Sequence, residues 1–176
     1  MFYKYKRSTA IIYSIVLIVA LIILDQYTKH LAVSHLMNKA DINLIPGVLQ
    51  LHYLENTGAA FSMLEGKQIL FAVLTPVLLI ILLIILFRIP QEKKFLYLDY
   101  IIVFIIAGAI GNYIDRISNN YVIDFIYFSL INFPVFNVAD IYVTVAMFFF
   151  FVLIIFYYKD EDLEEIKCSL KVKKNG

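Results

Sequence analysis

Four long apolar runs alternate with polar connections along the chain. The runs cover residues 10–31, 69–87, 95–114 and 139–158. Each is long enough for a helix that crosses the roughly 30 Å hydrocarbon layer of a bilayer. The pattern predicts an all-α membrane protein of one domain over 1–176, with four transmembrane helices. The connections are then outer loops over 32–68 and 115–138, with an irregular, frayed tail over 159–176.

The first apolar run follows a basic start, as the core of a signal peptide would. However, Asp25 follows Leu24 directly, and no small-residue cleavage site is present there, so a retained helix is expected. Asp25 and Lys29 are four residues apart and share one helix face. This spacing fits a local salt bridge at the helix end, and it fits equally a polar pair that faces the bundle and shapes a pocket.

The first outer connection contains a β pattern followed by a small-residue segment. Residues 41–55 alternate and are rich in β-branched side chains, with a turn signal at Pro46-Gly47. A small hairpin or short sheet outside the bilayer is therefore expected. In the following segment, Gly58 permits close backbone approach and Asn56 offers hydrogen-bond donors and an acceptor. A simple turn that caps the next helix would use the same residues.

The second outer connection places acidic residues beside short apolar segments. Val122–Phe128 fits either a strand or a short interfacial helix, and Asp124 is its only charge. Asn137 and Asp140 fall in the first turn of the last helix. An aspartate there also stabilises a helix N-terminus electrostatically, so Asp140 alone has an ordinary structural explanation.

The end of the third apolar run combines small and polar residues. Gly108 and Gly111 are spaced as in a small-residue face for close helix packing. Asn112, Asp115 and Arg116 follow at the same end of the helix, and Asn112 and Arg116 share a face. Polar and ionisable groups at the mouth of a membrane bundle are costly and usually mark function.

The composition excludes an ordinary soluble globule. Apolar residues make up 62% of the chain, and charged residues make up 16%, against roughly 25% in soluble domains. The single cysteine, Cys168, cannot form an intrachain disulfide. No Cys/His cluster has metal-ligand spacing, so neither a metal nor another cofactor is expected.

Positive charge is distributed unequally between the two sides of the predicted bundle. Most Lys and Arg residues lie before the first helix, between the second and third helices, and in the tail. The positive-inside rule then predicts cytoplasmic N- and C-termini. The polar residues of the helix mouths and outer connections all fall at the outer interface: Asp25, Lys29, Asn56, Asn112, Asp115, Arg116, Asp124, Asn137 and Asp140.

Several blocks together resemble the motif set of the bacterial lipoprotein signal peptidase family (signal peptidase II). The blocks are LDQYTK at 24–29, NTGAAFS at 56–62, GAIGNYIDR at 108–116, VIDF at 122–125 and FPVFNVAD at 133–140, in the family's order. The one departure is Ala107, where the family often has a glycine. Each block is weak alone, but the set is specific.

The resemblance implies a membrane aspartyl endopeptidase of the bacterial cell membrane. Such an enzyme removes the signal peptide from diacylglyceryl-modified prolipoproteins, cleaving before the lipidated cysteine. Asp124 and Asp140 would be the catalytic pair, activating a water molecule. Lipidated prolipoproteins and membrane lipid would be its partners, with neither nucleic acid nor an oligomer implied. The implied substrate-binding and supporting residues are Asn56, Gly58, Asn112, Asp115, Arg116, Asn137, Asp25 and Lys29.

Two other classes of function compete with the peptidase. A small membrane binding or transport subunit would use the polar cluster as a ligand site without chemistry, but it predicts polar groups at the bilayer midplane rather than at one interface. A structural assembly factor would leave the two carboxylates unexplained. Cleavage of a lipidated prolipoprotein by the purified chain distinguishes the peptidase from both.

Overall fold

The fold is a helical bundle with a small antiparallel sheet at one end. A computed structural model describes residues 7–58 and 68–171. Within this part of the chain, four helical segments are long and apolar enough to cross a membrane. The elements in chain order are α1 (Arg7–Leu36), β1 (Ile42–Ile45), β2 (Leu49–Asn56), α2 (Gln68–Arg88), α3 (Leu96–Asn119), β3 (Val122–Tyr127), α4 (Val138–Val152, followed by a π-helical turn, Leu153–Tyr157) and α5 (Asp160–Leu170).

Helix α3 is the centre of the bundle and packs against α1, α2 and α4. Its glycines explain how closely the helices approach. A Cβ atom at Gly108 would lie 2.6 Å from the carbonyl oxygen of Ala139 in α4. One at Gly111 would lie 2.5 Å from Oδ2 of Asp25 in α1. The predicted small-residue packing face is therefore confirmed.

Helix α2 contributes partly buried side chains to the core but no fully buried residue from 69 to 88. By contrast, ten residues of α3 are buried. α2 packs along α3, and Leu79, Leu82, Ile85 and Leu86 contact the core there. Its uniformly apolar sequence fits a helix whose other side faces hydrocarbon.

The sheet has the order β1-β2-β3, with all strands antiparallel. The predicted hairpin is confirmed, and its turn uses Gly47 at a φ of +71°. The connection between α3 and α4 forms a strand rather than a helix over Val122–Tyr127. Ile123 and Phe125 of this strand pack on Ala32 and Leu36 of α1, which attaches the sheet to the mouth of the bundle.

Two helices extend further than the sequence analysis predicted. α1 continues to Leu36, and α3 continues to Asn119, so Asp115 and Arg116 are helical rather than part of a loop. α3 ends only where Asn120 adopts the left-handed conformation, with a φ of 65° and its N–H donated to the carbonyl of Arg116. Polar residues at a membrane surface need not interrupt a helix that has neither Gly nor Pro at that point.

The prediction of an irregular tail over 159–176 was wrong for its first part, since Asp160–Leu170 forms α5. Leu163 and Ile166 lie three residues apart on one face and pack against the core. The Lys94 Nζ atom contacts carboxylate oxygens of Asp162 at 2.7 Å and Glu165 at 2.8 Å. The short apolar stripe and these ion pairs stabilise a helix that local sequence alone did not suggest.

We expect the Gly108→Ala variant to be less stable than the native protein. In an unconstrained helix this change is stabilising by about 1 kcal/mol, but here the new methyl group meets the Ala139 backbone, which cannot move aside as a side chain can. Thermal unfolding in detergent measures the effect. Ser118→Ala, an exposed change in the same helix, should leave the melting temperature unchanged or raise it. A Gly108→Ala protein at least as stable as the native one would contradict the close α3–α4 contact.

Candidate active site

A groove of about 1230 Å³ opens between α2, α3, α4 and the sheet. Asp124 from β3 and Asp140 from α4 both line it. Its sheet end includes Gln50 and His52, and its helical end includes Leu78 and Val145. The groove therefore joins a polar rim to an apolar region between helices, with two carboxylates on its wall.

Asp124 is held in the wall by two amide donors. Only 1% of the residue is exposed. Its Oδ2 atom accepts a hydrogen bond from Asn56 Nδ2 at 2.8 Å, and its Oδ1 atom accepts one from Asn137 Nδ2 at 2.7 Å. Burial raises the pKa of Asp124 to about 7, with a further contribution from the negative charge of Asp140; the two amide hydrogen bonds and Lys29 oppose this rise.

Asp140 occupies the first turn of α4 and takes part in its N-terminal cap. Asp140 N–H donates to Asn137 Oδ1 at 3.0 Å, and Asn137 N–H donates to Asp140 Oδ2 at 3.1 Å, which forms a capping box. The other carboxylate oxygen accepts a hydrogen bond from Asn112 Nδ2 at 2.8 Å. The capping explanation for Asp140 is thus correct, and the same carboxylate also lines the groove.

Asn137 connects the two carboxylates. Its backbone and side-chain oxygen bind Asp140, while its Nδ2 atom donates to Asp124 and, at 3.0 Å, to Asn112 Oδ1. Asn137 is fully buried. One rigid residue therefore fixes the position of Asp124 relative to Asp140.

A buried ion cluster lies behind the groove wall. The Lys29 Nζ atom contacts Asp25 Oδ2 at 2.9 Å, Asp115 Oδ2 at 2.8 Å and Asn112 Oδ1 at 2.9 Å. These charged residues are each no more than 2% exposed. The Asp25–Lys29 pair is therefore a salt bridge that faces the bundle interior. It reaches the groove through Asn112, since neither Asp25 nor Lys29 lines the groove itself.

Asp25 and Asp115 also bind backbone groups of the neighbouring elements. Asp25 Oδ1 accepts a hydrogen bond from the Ala139 N–H at the start of α4, at 3.0 Å. Asp115 Oδ2 accepts one from the Ile123 N–H in β3, at 3.2 Å. The cluster thereby fixes the backbone next to both candidate catalytic residues.

Gln26 is a member of this cluster that the sequence analysis missed. Its Nε2 atom lies within hydrogen-bond distance of Asp25 Oδ2 at 3.1 Å, Asp115 Oδ1 at 3.0 Å and the Gly111 carbonyl at 3.1 Å. The signal was present in the sequence, because Gln26 lies three residues before Lys29 and shares its helix face.

Asn56 and Gly58 form a turn at the groove edge. Asn56 Oδ1 accepts a hydrogen bond from the Gly58 N–H at 2.9 Å, and the Gly58 carbonyl accepts one from Arg116 Nη2 at 3.2 Å. The Arg116 guanidinium also stacks over the Phe71 ring of α2, at 4.6 Å. Asn56 and Gly58 thus form a local turn and also line the groove, while the rest of the block, 59–62, lies outside the described residues.

The arrangement is suited to general acid–base chemistry. Asp124 and Asp140 share the groove and an asparagine, and the charge of one contributes to the raised pKa of the other. Neighbouring carboxyl groups, one of them with a raised pKa, are the kind of groups that accept and donate protons in acid–base catalysis.

Known proteins with similar sequences belong to one family of signal peptidases. The sequence model of the family described as signal peptidase (SPase) II matches residues 17–156. A lipoprotein signal peptidase of Streptococcus thermophilus is 42% identical over 132 residues, which cover 75% of this chain and 85% of the relative. One from Enterococcus faecalis is 43% identical over 125 residues, covering 70% and 76%.

A solved structure shares the fold as well as the sequence similarity. It is described as a bacterial membrane enzyme determined by the in meso method at 2.3 Å resolution, and it is 31% identical with a TM-score of 0.76. The match covers 88% of this chain and 92% of that one. Because the family model spans most of the sequence and the aligned relatives carry the same name, the chain belongs to the signal peptidase II family.

Proposed function

We propose that this chain removes the signal peptide from lipid-modified prolipoproteins, cleaving before the lipidated cysteine, with Asp124 and Asp140 as its catalytic pair. Membership of the signal peptidase II family makes it an aspartic peptidase, which displaces the transport-subunit and assembly-factor alternatives. The observation that supports the residue assignment is that both carboxylates line one groove and are joined by Asn137.

In the proposed reaction, the pair carries one proton and binds a water molecule. The ionised carboxylate takes a proton from the water as the water oxygen attacks the peptide carbonyl carbon. The protonated carboxyl group gives its proton to the carbonyl oxygen, forming a tetrahedral diol. When the C–N bond breaks, the carboxyl group that took the water proton gives it to the leaving amine, while the other carboxylate takes a proton from a diol hydroxyl as the new carboxylic acid forms. The pair therefore again holds one proton. The raised pKa of Asp124 suits a pair that must remain half-protonated near neutral pH.

The asparagines around the pair have different proposed roles. Both Nδ2 hydrogens of Asn137 are engaged, by Asp124 and by Asn112, so this residue orients the pair. Asn56 donates one amide hydrogen to Asp124, and no residue in the described part of the chain accepts its second, which would bind a peptide carbonyl. Arg116 lines the same groove beside Gly58 and would hold the substrate backbone there.

The buried cluster supports the site by fixing an amide orientation. Lys29 donates to Asn112 Oδ1, which obliges the Asn112 nitrogen to face Asp140. If the amide were flipped, its nitrogen would meet the Lys29 ammonium and its oxygen would meet the Asp140 carboxylate. Lys29, together with its partners Asp25 and Asp115, is therefore proposed as a positioning residue rather than a substrate ligand.

The proposed location is the bacterial cell membrane, with four spans, cytoplasmic termini and the active site and sheet at the outer face. The uneven distribution of Lys and Arg supports this orientation. The diacylglyceryl chains of the substrate can then remain in the bilayer while the peptide reaches the carboxylates. The groove suits such a substrate because it runs from the polar sheet rim to apolar residues between helices.

We expect Asp124→Asn and Asp140→Asn each to lower the rate of prolipoprotein cleavage at least about a hundred-fold, since each removes a general acid–base group. Turnover of a purified lipidated prolipoprotein measures the effect, with thermal unfolding as the check on folding. Asp160→Asn, in the exposed first turn of α5, is the matched control and should cleave at the native rate. Native-like cleavage by a folded Asp124→Asn or Asp140→Asn protein would refute the catalytic pair.

The pH profile of kcat/KM should be bell-shaped, with its alkaline limb marking loss of the shared proton. The hydrogen bond from Asn56 lowers the pKa of Asp124, so Asn56→Ala should raise that pKa and move the alkaline limb to higher pH. Gln50→Ala changes a residue of the same groove and should leave the limb in place. A limb that does not move in Asn56→Ala, or moves to lower pH, would contradict the assignment of Asp124.

The orientation can be tested with the native thiol. Cys168 is exposed on α5 and is expected to face the cytoplasm. An impermeant maleimide applied to intact cells should therefore label it only after permeabilisation. A cysteine at Lys39, introduced in a Cys168→Ser background, should react in intact cells. Labelling of native Cys168 in intact cells would reverse the proposed topology.

A further inference from the structure

The end of the sheet carries an apolar surface that lies outside the groove except at Phe133. We call this surface the apolar tip and define it by Ile45, Phe128, Leu130, Ile131 and Phe133. Leu130 is 67% exposed and Ile131 is 69% exposed. Exposed apolar groups gathered in one place mark contact surfaces more often than solvated ones.

Two separate turns of the chain are bonded together to form the apolar tip. The Leu130 N–H donates to the Val48 carbonyl at 3.5 Å, and the Val48 N–H donates to the Ile45 carbonyl at 2.9 Å. The Phe133 N–H donates to the Phe128 carbonyl at 3.1 Å. The rings of Phe128 and Phe133 both pack on the Phe136 ring, at centroid distances of 6.1 and 5.8 Å. The surface is therefore built into the fold.

The sequence around the apolar tip is free of charge. Residues 42–51 and 125–139 contain no Asp, Glu, Lys, Arg or His. By contrast, α5 at the other end of the molecule carries charge along its exposed side. A solvated turn would normally carry charged or strongly polar side chains, so water is a poor partner for this surface.

The position of the apolar tip favours lipid as its occupant. Residues 132–137 lead directly into α4, which is long and apolar enough to span the membrane. Phe133 lines the same groove as Ile141 and Val145 of α4, whose side chains are 39% and 42% exposed. The apolar surface of the sheet is thus continuous with the lipid-facing surface of the bundle.

We propose that the apolar tip inserts into the outer leaflet of the membrane and anchors the sheet at the interface. This proposal rests on the orientation proposed above. Short apolar segments bind the boundary between headgroups and acyl chains in this way. Asp124 lies only four residues before Phe128, on the strand that ends at the tip. Anchoring the tip would therefore fix the depth of Asp124 relative to a substrate bond that is itself tethered by lipid.

The chain contains no tryptophan, so a single introduced tryptophan reports on one position. Ile131→Trp probes the apolar tip. Lys39→Trp is the control for an exposed position near the sheet, and Phe149→Trp, 51% exposed on α4, is the control for a lipid-facing position. Each full-length protein is reconstituted in vesicles of phosphatidylcholine and phosphatidylglycerol, with and without phosphatidylcholine brominated on its acyl chains near the headgroup.

We expect Ile131→Trp to emit at shorter wavelength than Lys39→Trp, and brominated lipid to quench it at least about two-fold, as contact with the acyl boundary requires. Lys39→Trp should be quenched by aqueous iodide instead. Iodide quenching of Ile131→Trp to the same extent as Lys39→Trp would overturn the proposal. Short-wavelength emission without quenching by brominated lipid would also overturn it, because the surface would then be covered by a second copy or another protein.

A second measurement links the anchor to the reaction. In the same vesicles, Leu130→Asn/Ile131→Asn should raise KM for a lipidated prolipoprotein several-fold while leaving kcat unchanged, because docking depth is lost but the carboxylates are intact. The double variant and the native enzyme should have equal KM in detergent micelles, where no leaflet exists. An unchanged KM in vesicles would reject the role in docking. Absence of cleavage by the native enzyme would instead refute the proposed function, whatever the fluorescence shows.

Discussion

The buried ammonium of Lys29 is the point on which the mouth of the bundle depends. It lies between the carboxylates of Asp25 and Asp115, each within 3 Å of its nitrogen. Those carboxylates in turn bind the backbone at the start of α4 and in β3. A buried charge that loses one partner destabilises a protein by about 3–5 kcal/mol. Such a cluster admits few alternative arrangements, so α1, α3, α4 and the sheet meet in a fixed geometry.

The carboxylates of Asp124 and Asp140 are held in place by hydrogen bonds that also stabilise the fold. The helix cap formed by Asn137 and Asp140 would be expected at the start of any helix, and here its side chains also hold Asp124 and Asn112. The same hydrogen bonds therefore stabilise α4 and orient the candidate catalytic groups. A site assembled in this way needs no strained backbone to keep its donors and acceptors aligned.

The sequence predicted the four spans and the hairpin well, because both depend on local periodicity and hydropathy. The motif residues were also found, but their separate roles were not. The roles of Asn112 and Asn137 differ from that of Asn56 because of the partners of their amide hydrogens. Asn112 donates to Asp140 and Asn137 donates to Asn112, and these partners are 25 or more residues away in the sequence. The strand at Val122–Tyr127 could not be distinguished from a short helix for a similar reason, since it depends on pairing with β2. The tail helix depends in the same way on Lys94, which is 68 residues from Asp162. Gln26 is different, because its helical spacing to Lys29 already indicated the shared face.

Helix α2 borders the groove through Thr75 and Leu78, yet none of its residues from 69 to 88 is fully buried. Opposite it, Val143 and Val145 of α4 form the other apolar margin. Under the proposed function, a lipid-tethered peptide would enter the groove from the side and exchange hydrocarbon for these side chains without passing through water. The substrate would then reach the enzyme by diffusion in the plane of the membrane, and the released signal peptide would remain in the bilayer. For such an enzyme, the bilayer would dissolve the lipid-bearing substrate, deliver it to the groove and receive the cleaved signal peptide.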